Sequence, residues 1–156
     1  MYKKQNYSFA MAKIIGGEKY PNIRGRAFFR QKLMGVLVTV EVYGLPRKNQ
    51  NNTGMFALHI HNGTECGGKP NDPFSEAGTH FNPDEYMHPY HAGDLPPLFG
   101  NDGYAYMSVL TNRFTVREIM GRVIIIHEGT DDFTTQPAGN AGVKIACGKI
   151  SQNQQY

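Results

Sequence analysis

The stretch from Gly35 to Gly44, GVLVTVEVYG, places a valine at every second position and is closed by a glycine at each end. Successive side chains of a strand point to opposite faces, so Val36, Val38, Val40 and Val42 share one face while Leu37, Thr39, Glu41 and Tyr43 share the other. A period of two argues a half-buried strand and not an amphipathic helix. Working outward, less regular runs at Ala12–Ile15, Ile23–Phe29, Met55–His61, Tyr104–Val109, Val123–His127 and Val143–Ile150 are bounded by Gly, Pro, Asn or Asp and read as further strands. Together they predict an all-β domain, a Greek-key sandwich or barrel. The segment from Phe114 to Met120 reads as a short helical turn.

The composition fits that reading. At 156 residues with 40% hydrophobic content the chain suits one globular domain, and its 18 glycines and 9 prolines favour short strands joined by turns over a helical bundle. The formal charge of +3 is modest and the 16 Lys and Arg are spread along the chain, which argues against nucleic acid as a partner. No run approaches membrane-spanning length, and the opening MYKKQNYSFAMAK lacks the apolar centre of a signal peptide, so the chain as given reads as cytoplasmic. A secreted or cell-envelope address follows instead if an export signal preceded this start. The final SQNQQY is a polar tail.

Between about Asn62 and Gly103 periodicity gives way to Gly, Pro, Asn, His and Asp. A compact domain rarely holds so long a loop unless something ties it down, and bound metal would do so. The histidines supply a reason. In MFALHIH, Met55 to His61, the residues Phe56, Leu58 and Ile60 share the core face of a strand, leaving Met55, Ala57, His59 and His61 on the other. Residues two apart on a strand are separated by roughly 6–7 Å at Cα, so both imidazoles can reach one ion outside the apolar layer. A His-x-His pair by itself is a weak signal, because surface histidines on strands arise by chance. All six histidines, however, sit in turn-rich or strand-end clusters: His59/His61, His80, His88/His91 and His127, with Asp94, Asp131 and Asp132 nearby. Six imidazoles and adjacent carboxylates exceed what one tetrahedral zinc needs, which predicts two ions. An all-imidazole set suits copper, and a set completed by a carboxylate suits zinc. The two cysteines, Cys66 and Cys147, read from their number alone as buried thiols.

The pieces FALHIHNGTEC, AGTHFNP, HPYHAGDLPPL, VIIIHEGTDD and GNAGVKIACG, in that order, resemble the copper/zinc superoxide dismutases, particularly the bacterial branch, over about Ala10 to Ile150. The resemblance implies an eight-stranded Greek-key β-barrel, an immunoglobulin-like sandwich, with long metal-binding and electrostatic loops outside its wall. It implies one domain over 10–150 between a flexible extension, 1–9, and a tail, 151–156. Copper would be held by His59, His61, His80 and His127, and zinc by His80, His88, His91 and Asp94, with the His80 imidazolate shared. Asp131 would join copper-bound His59 to zinc-bound His88, and Cys66 and Cys147 would form the family's disulfide. The implied reaction converts superoxide anion to oxygen and hydrogen peroxide by Cu(II)/Cu(I) cycling. His80 would leave copper on reduction and carry a proton, and Lys144 would draw the anion to the pocket. A homodimer is an assembly that the resemblance leaves open.

Two departures stand out. The family carries an arginine two residues after its GNAG motif, where this chain has Lys144, which keeps the charge but not the planar two-donor fork. Only two residues separate His88 from His91, far fewer than the usual spacing. Three other readings compete. A dismutase-like copper and zinc carrier or storage protein would hold metal with little turnover. A single-metal cupin-like enzyme would use His59, His61 and Glu65 but lacks a matching later histidine motif. A zinc hydrolase would want an aspartate-histidine continuation where Asn62-Gly63 stands.

Overall fold

The four valines of GVLVTVEVYG all lie at 0% exposure on one face of a strand, as their alternation requires. A computed structural model describes residues 7–48 and 53–152, so parts of the expected N-terminal extension and C-terminal tail lie outside the described residues. In chain order the strands are β1 (Phe9–Gly16), β2 (Arg24–Lys32), β3 (Gly35–Tyr43), β4 (Met55–His61), β5 (Asp94–Phe99), β6 (Ala105–Thr111), β7 (Val123–His127) and β8 (Lys144–Ser151). A single helical turn, α1 (Val116–Ile119), falls inside the segment read as helical and is closed by a capping box between Thr115 and Glu118.

Every pairing is antiparallel, in the spatial order β5-β4-β7-β8-β1-β2-β3-β6. β1, β2 and β3 form a meander, and the chain then leaves β3 for β4 and later β6 for β7, each a strand that is not its neighbour. The two end strands, β5 and β6, pack against one another, so the sheet curls into a nearly closed Greek-key barrel. Its interior is filled by the valines of β3 together with Ile14, Phe29, Phe56, Leu58, Ile60, Leu98, Ile124, Ile126 and Ile145. Each such burial contributes about 1.5–3 kcal/mol relative to an exposed side chain.

The stretch expected to be structureless from Asn62 to Gly103 contains β5. Its sequence, DLPPLF, carries Pro96 and Pro97, which cannot donate to a ladder, and this hides it from a strand reading. The prolines are accommodated because β5 has a ladder only with β4, and the register shifts between Phe56 and Leu58 where they sit. What remains, 62–93, holds no strand and a single 3-10 turn, Ser75–Ala77, and it folds over the outer face of β7 and β8. It has a small core of its own: Phe74 and Ala77 pack on Val123, Ile125 and Cys147, with Cys66 alongside. A disulfide joins Cys66 to Cys147, so the two cysteines are not free thiols. No helix among the described residues is long and apolar enough to cross a membrane.

Candidate metal centre

Every residue of β4 after Met55 is buried on both sides: Phe56, Leu58 and Ile60 by the barrel, Ala57, His59 and His61 by the loops outside it. That second layer is where the imidazoles meet. Asp94, the first residue of β5, stands opposite His59 in the β4–β5 register. His80 makes an isolated bridge to His61, and His127 closes β7, the other neighbour of β4. Three strands and one loop thus deliver two groups of ligand-type atoms, His59/His61/His80/His127 and His80/His88/His91/Asp94, each group lying within 4.8 Å. All are buried and His80 belongs to both. The two residues between His88 and His91 suffice to close the second group.

The hydrogen bonds around the rings show which nitrogens are left over. A carbonyl oxygen only accepts, so His61 Nδ1 must donate to Gly78 O (2.8 Å) and His127 Nδ1 to Gly142 O (3.1 Å). In the neutral rings the two Nε2 lone pairs then face one another at 3.1 Å. Two lone pairs at that distance repel, and a cation between the rings removes the conflict. His59 Nδ1, His80 Nε2 and His88 Nδ1 are buried with no hydrogen-bond partner at all. His88 Nδ1 does lie 3.0 Å from Asp94 Oδ2, but out of line for a hydrogen bond, as two atoms aimed at a common third point would be. On the second group's side, His80 Nδ1 is 2.8 Å from Asp94 Oδ1 and 3.3 Å from His91 Nδ1. Four imidazoles suit copper and three imidazoles with a carboxylate suit zinc, so the donor sets fit both ions.

Burial favours the neutral form of His59, His61, His91 and His127. It holds His59 and His61 well below the ordinary imidazole range, reinforced by the neighbouring histidines, and lowers His91. His127 is lowered to about 4 by burial against the opposing bond to Gly142, with the charges of His80 and Lys144 adding to the fall. Burial would raise Asp94, but hydrogen bonding and charge from His80, then His59 and His88, outweigh it and leave the carboxyl below its usual value.

Asp131 ties the two groups together. Its Oδ2 is 2.7 Å from His59 Nε2 and its Oδ1 is 2.8 Å from His88 Nε2, leaving the Nδ1 atoms of both rings facing inward. Phe133 N–H donates to the same carboxylate at 2.8 Å. Asp132 stands apart and caps the following turn through Thr134 and Thr135.

Several contributors escape a sequence reading. Gln136 accepts from the backbone N–H of His88 at 2.9 Å and donates to its carbonyl at 2.7 Å. Arg113 donates to the carbonyl of Pro89 at 2.8 Å, bracing the loop between His88 and His91. Gly139, at φ +67°, brings its backbone so close to Asp131 and His88 that an added Cβ would collide with both. Gly139→Ala is therefore expected to cost about 1–3 kcal/mol, read as a lowered melting temperature together with weaker metal retention.

The rings open on a cavity of about 510 Å³ lined by His61, His80, His127, Pro137, Gly142 and Lys144. Lys144 is thus in the wall of the pocket, but not as an isolated cation. Its Nζ lies 3.0 Å from Asp72 Oδ2, a partner that the sequence did not suggest.

Comparison with known proteins agrees with this geometry. The family model for copper/zinc superoxide dismutase (SODC) matches residues 23–150. Superoxide dismutase [Cu-Zn] of Deinococcus radiodurans is 35% identical over 144 residues, covering 81% of this chain and 76% of that protein. Superoxide dismutase [Cu-Zn] 2 of Aquifex aeolicus is 35% identical over 156 residues, covering 90% and 85%. A crystal structure of a SOD-like protein from Bacillus subtilis, in double-mutant form, superposes with a TM-score of 0.72 at 28% identity, covering 92% of this chain and 99% of that one.

Proposed function

The chain belongs to the copper/zinc superoxide dismutase family, and from that premise we propose that it disproportionates superoxide, with copper held by His59, His61, His80 and His127 and zinc by His80, His88, His91 and Asp94. The observation that carries the assignment is the sharing of His80: one buried ring presents Nδ1 to Asp94 and His91 while its Nε2 has no partner. Copper, when bound, supplies the one-electron exchange by which one superoxide becomes dioxygen and a second, with two protons, becomes hydrogen peroxide, beside a zinc that has no redox change.

The chain's own residues have separate tasks. Asp131 fixes the tautomer of His59 and His88 by accepting hydrogen bonds from both Nε2–H groups, which leaves their Nδ1 lone pairs turned inward. The carbonyls of Gly78 and Gly142 do the same for His61 and His127 from the opposite ring nitrogen. His80 Nε2 is the atom at which the chain can hold a proton for the product whenever copper does not occupy it, since no protein group hydrogen-bonds to it. The Lys144 ammonium in the pocket wall attracts the incoming anion.

Metal content and stopped-flow superoxide decay on one sample test the reading. One copper and one zinc per chain with rapid decay is the expected result. Full loading without turnover would turn the assignment to a metal-carrying relative.

A further inference from the structure

Lys144 opens β8 directly opposite His127, and its side chain is 17% exposed. Together with Gly142 it lines two neighbouring cavities, the one above the imidazoles and a second of about 430 Å³ bounded by Asn71, Asp72, Pro73 and Val143. Asp72 lines only the second. The ammonium therefore sits on the ridge between the cavities, in contact with a carboxylate on the far side.

Asp72 is not a loosely placed surface acid. Its backbone exchanges two hydrogen bonds with Lys69, at 2.9 and 3.0 Å, and its carbonyl takes a third from Ser75 N–H at 3.0 Å. Its Oδ1 accepts from Phe74 N–H at 3.4 Å, which leaves Oδ2 for Lys144. Phe74 is itself buried against Ile125 and Cys147, beside the disulfide. The backbone of Asp72 is thus tied into the loop that packs on the barrel wall, and its half-exposed carboxylate is turned toward Lys144.

A cation and an anion 3.0 Å apart project a dipolar field, which falls off faster with distance than that of a lone charge. The ammonium has three N–H donors, so one bond to Asp72 leaves two for an incoming anion. Asp72 consequently discounts the charge that Lys144 shows the pocket without blocking its donors. We propose that Asp72 is a positioning residue that attenuates anion capture: it holds the Lys144 ammonium on the ridge and cancels part of its attraction for superoxide. This rests on the reading that the anion enters past Lys144.

Asp72→Asn is the informative change, because the amide oxygen still accepts from Phe74 N–H while the negative charge is gone. With the full chain loaded with copper and zinc, azide binding is followed by visible absorbance and superoxide decay by stopped flow over a range of ionic strength. Asp72→Asn is expected to tighten azide and speed decay about two- to fivefold at low salt, with a steeper salt dependence. In a Lys144→Ala background, itself expected to weaken azide and flatten the salt dependence, the same change should give a smaller gain, because only the through-space repulsion of Asp72 is then relieved and no ammonium is freed. Unaltered azide affinity in Asp72→Asn beside a weakened Lys144→Ala would overturn the inference, as would a loss in Asp72→Asn equal to that of Lys144→Ala, which would make Asp72 a support for capture. An equal gain with and without Lys144 would overturn it too, by reducing Asp72 to a distant surface charge. Unaltered azide affinity in Lys144→Ala would remove the prior reading of the anion's route.

Discussion

His80→Ala is expected to lower superoxide turnover by more than about 100-fold, beyond the 10- to 100-fold typical when a group behind a metal ligand is lost. The reason is that one substitution opens both ligand groups. The alanine removes the donor facing the pocket and also the ring that hydrogen-bonds Asp94 at 2.8 Å, so the carboxylate loses the neighbour that most favours its charged form. Stopped-flow decay combined with metal analysis checks the result. Undiminished turnover in His80→Ala would show that the shared ring is not the centre of the chemistry.

Metal-free protein is expected to lose stability as the pH falls from about 6.5 toward 4. The folded state depresses the imidazoles of His59, His61 and His127, the last to about 4. Between that value and the ordinary imidazole pKa the unfolded chain binds protons that the folded chain refuses, so unfolding gains as pH drops and stability rises as pH rises. For His127 alone the shift amounts to about 3 kcal/mol once the pH is below both values, and His59 and His61 act in the same direction. Asp94, whose folded pKa is lowered, adds a loss of the same sign at still lower pH. Urea melts of metal-free protein at pH 7.5, 6 and 4.5 measure the effect; midpoints that do not move would contradict the burial of neutral rings. Metal occupying the same lone pairs should carry the folded state to lower pH, since protons must then displace it.

The sequence reading reached furthest where one residue's chemistry suffices. Alternation in β3 exposes a strand because side-chain direction repeats every two residues, and the same rule puts His59 and His61 together on the outer face of β4. It failed where the meaning of a residue depends on a partner far along the chain. Asp72 and Lys144 are 72 positions apart, Gln136 and His88 are 48 apart, and neither pair has a local pattern to announce it. β5 was hidden for a different reason: proline argues against a strand in general, but a strand with a single ladder escapes that rule. The narrow spacing of His88 and His91 was legible as a departure. Its accommodation was not, because the braces are Arg113 and Gln136 from elsewhere in the fold.

The double proline of β5 bears on how the molecule behaves in a crowded solution. Adjacent residues direct their backbone nitrogens to opposite sides of a strand, so one of Pro96 and Pro97 deletes a donor on the side away from β4. An approaching strand from another molecule would find that border broken at its middle, and intermolecular sheet growth toward fibrils would have no continuous template there.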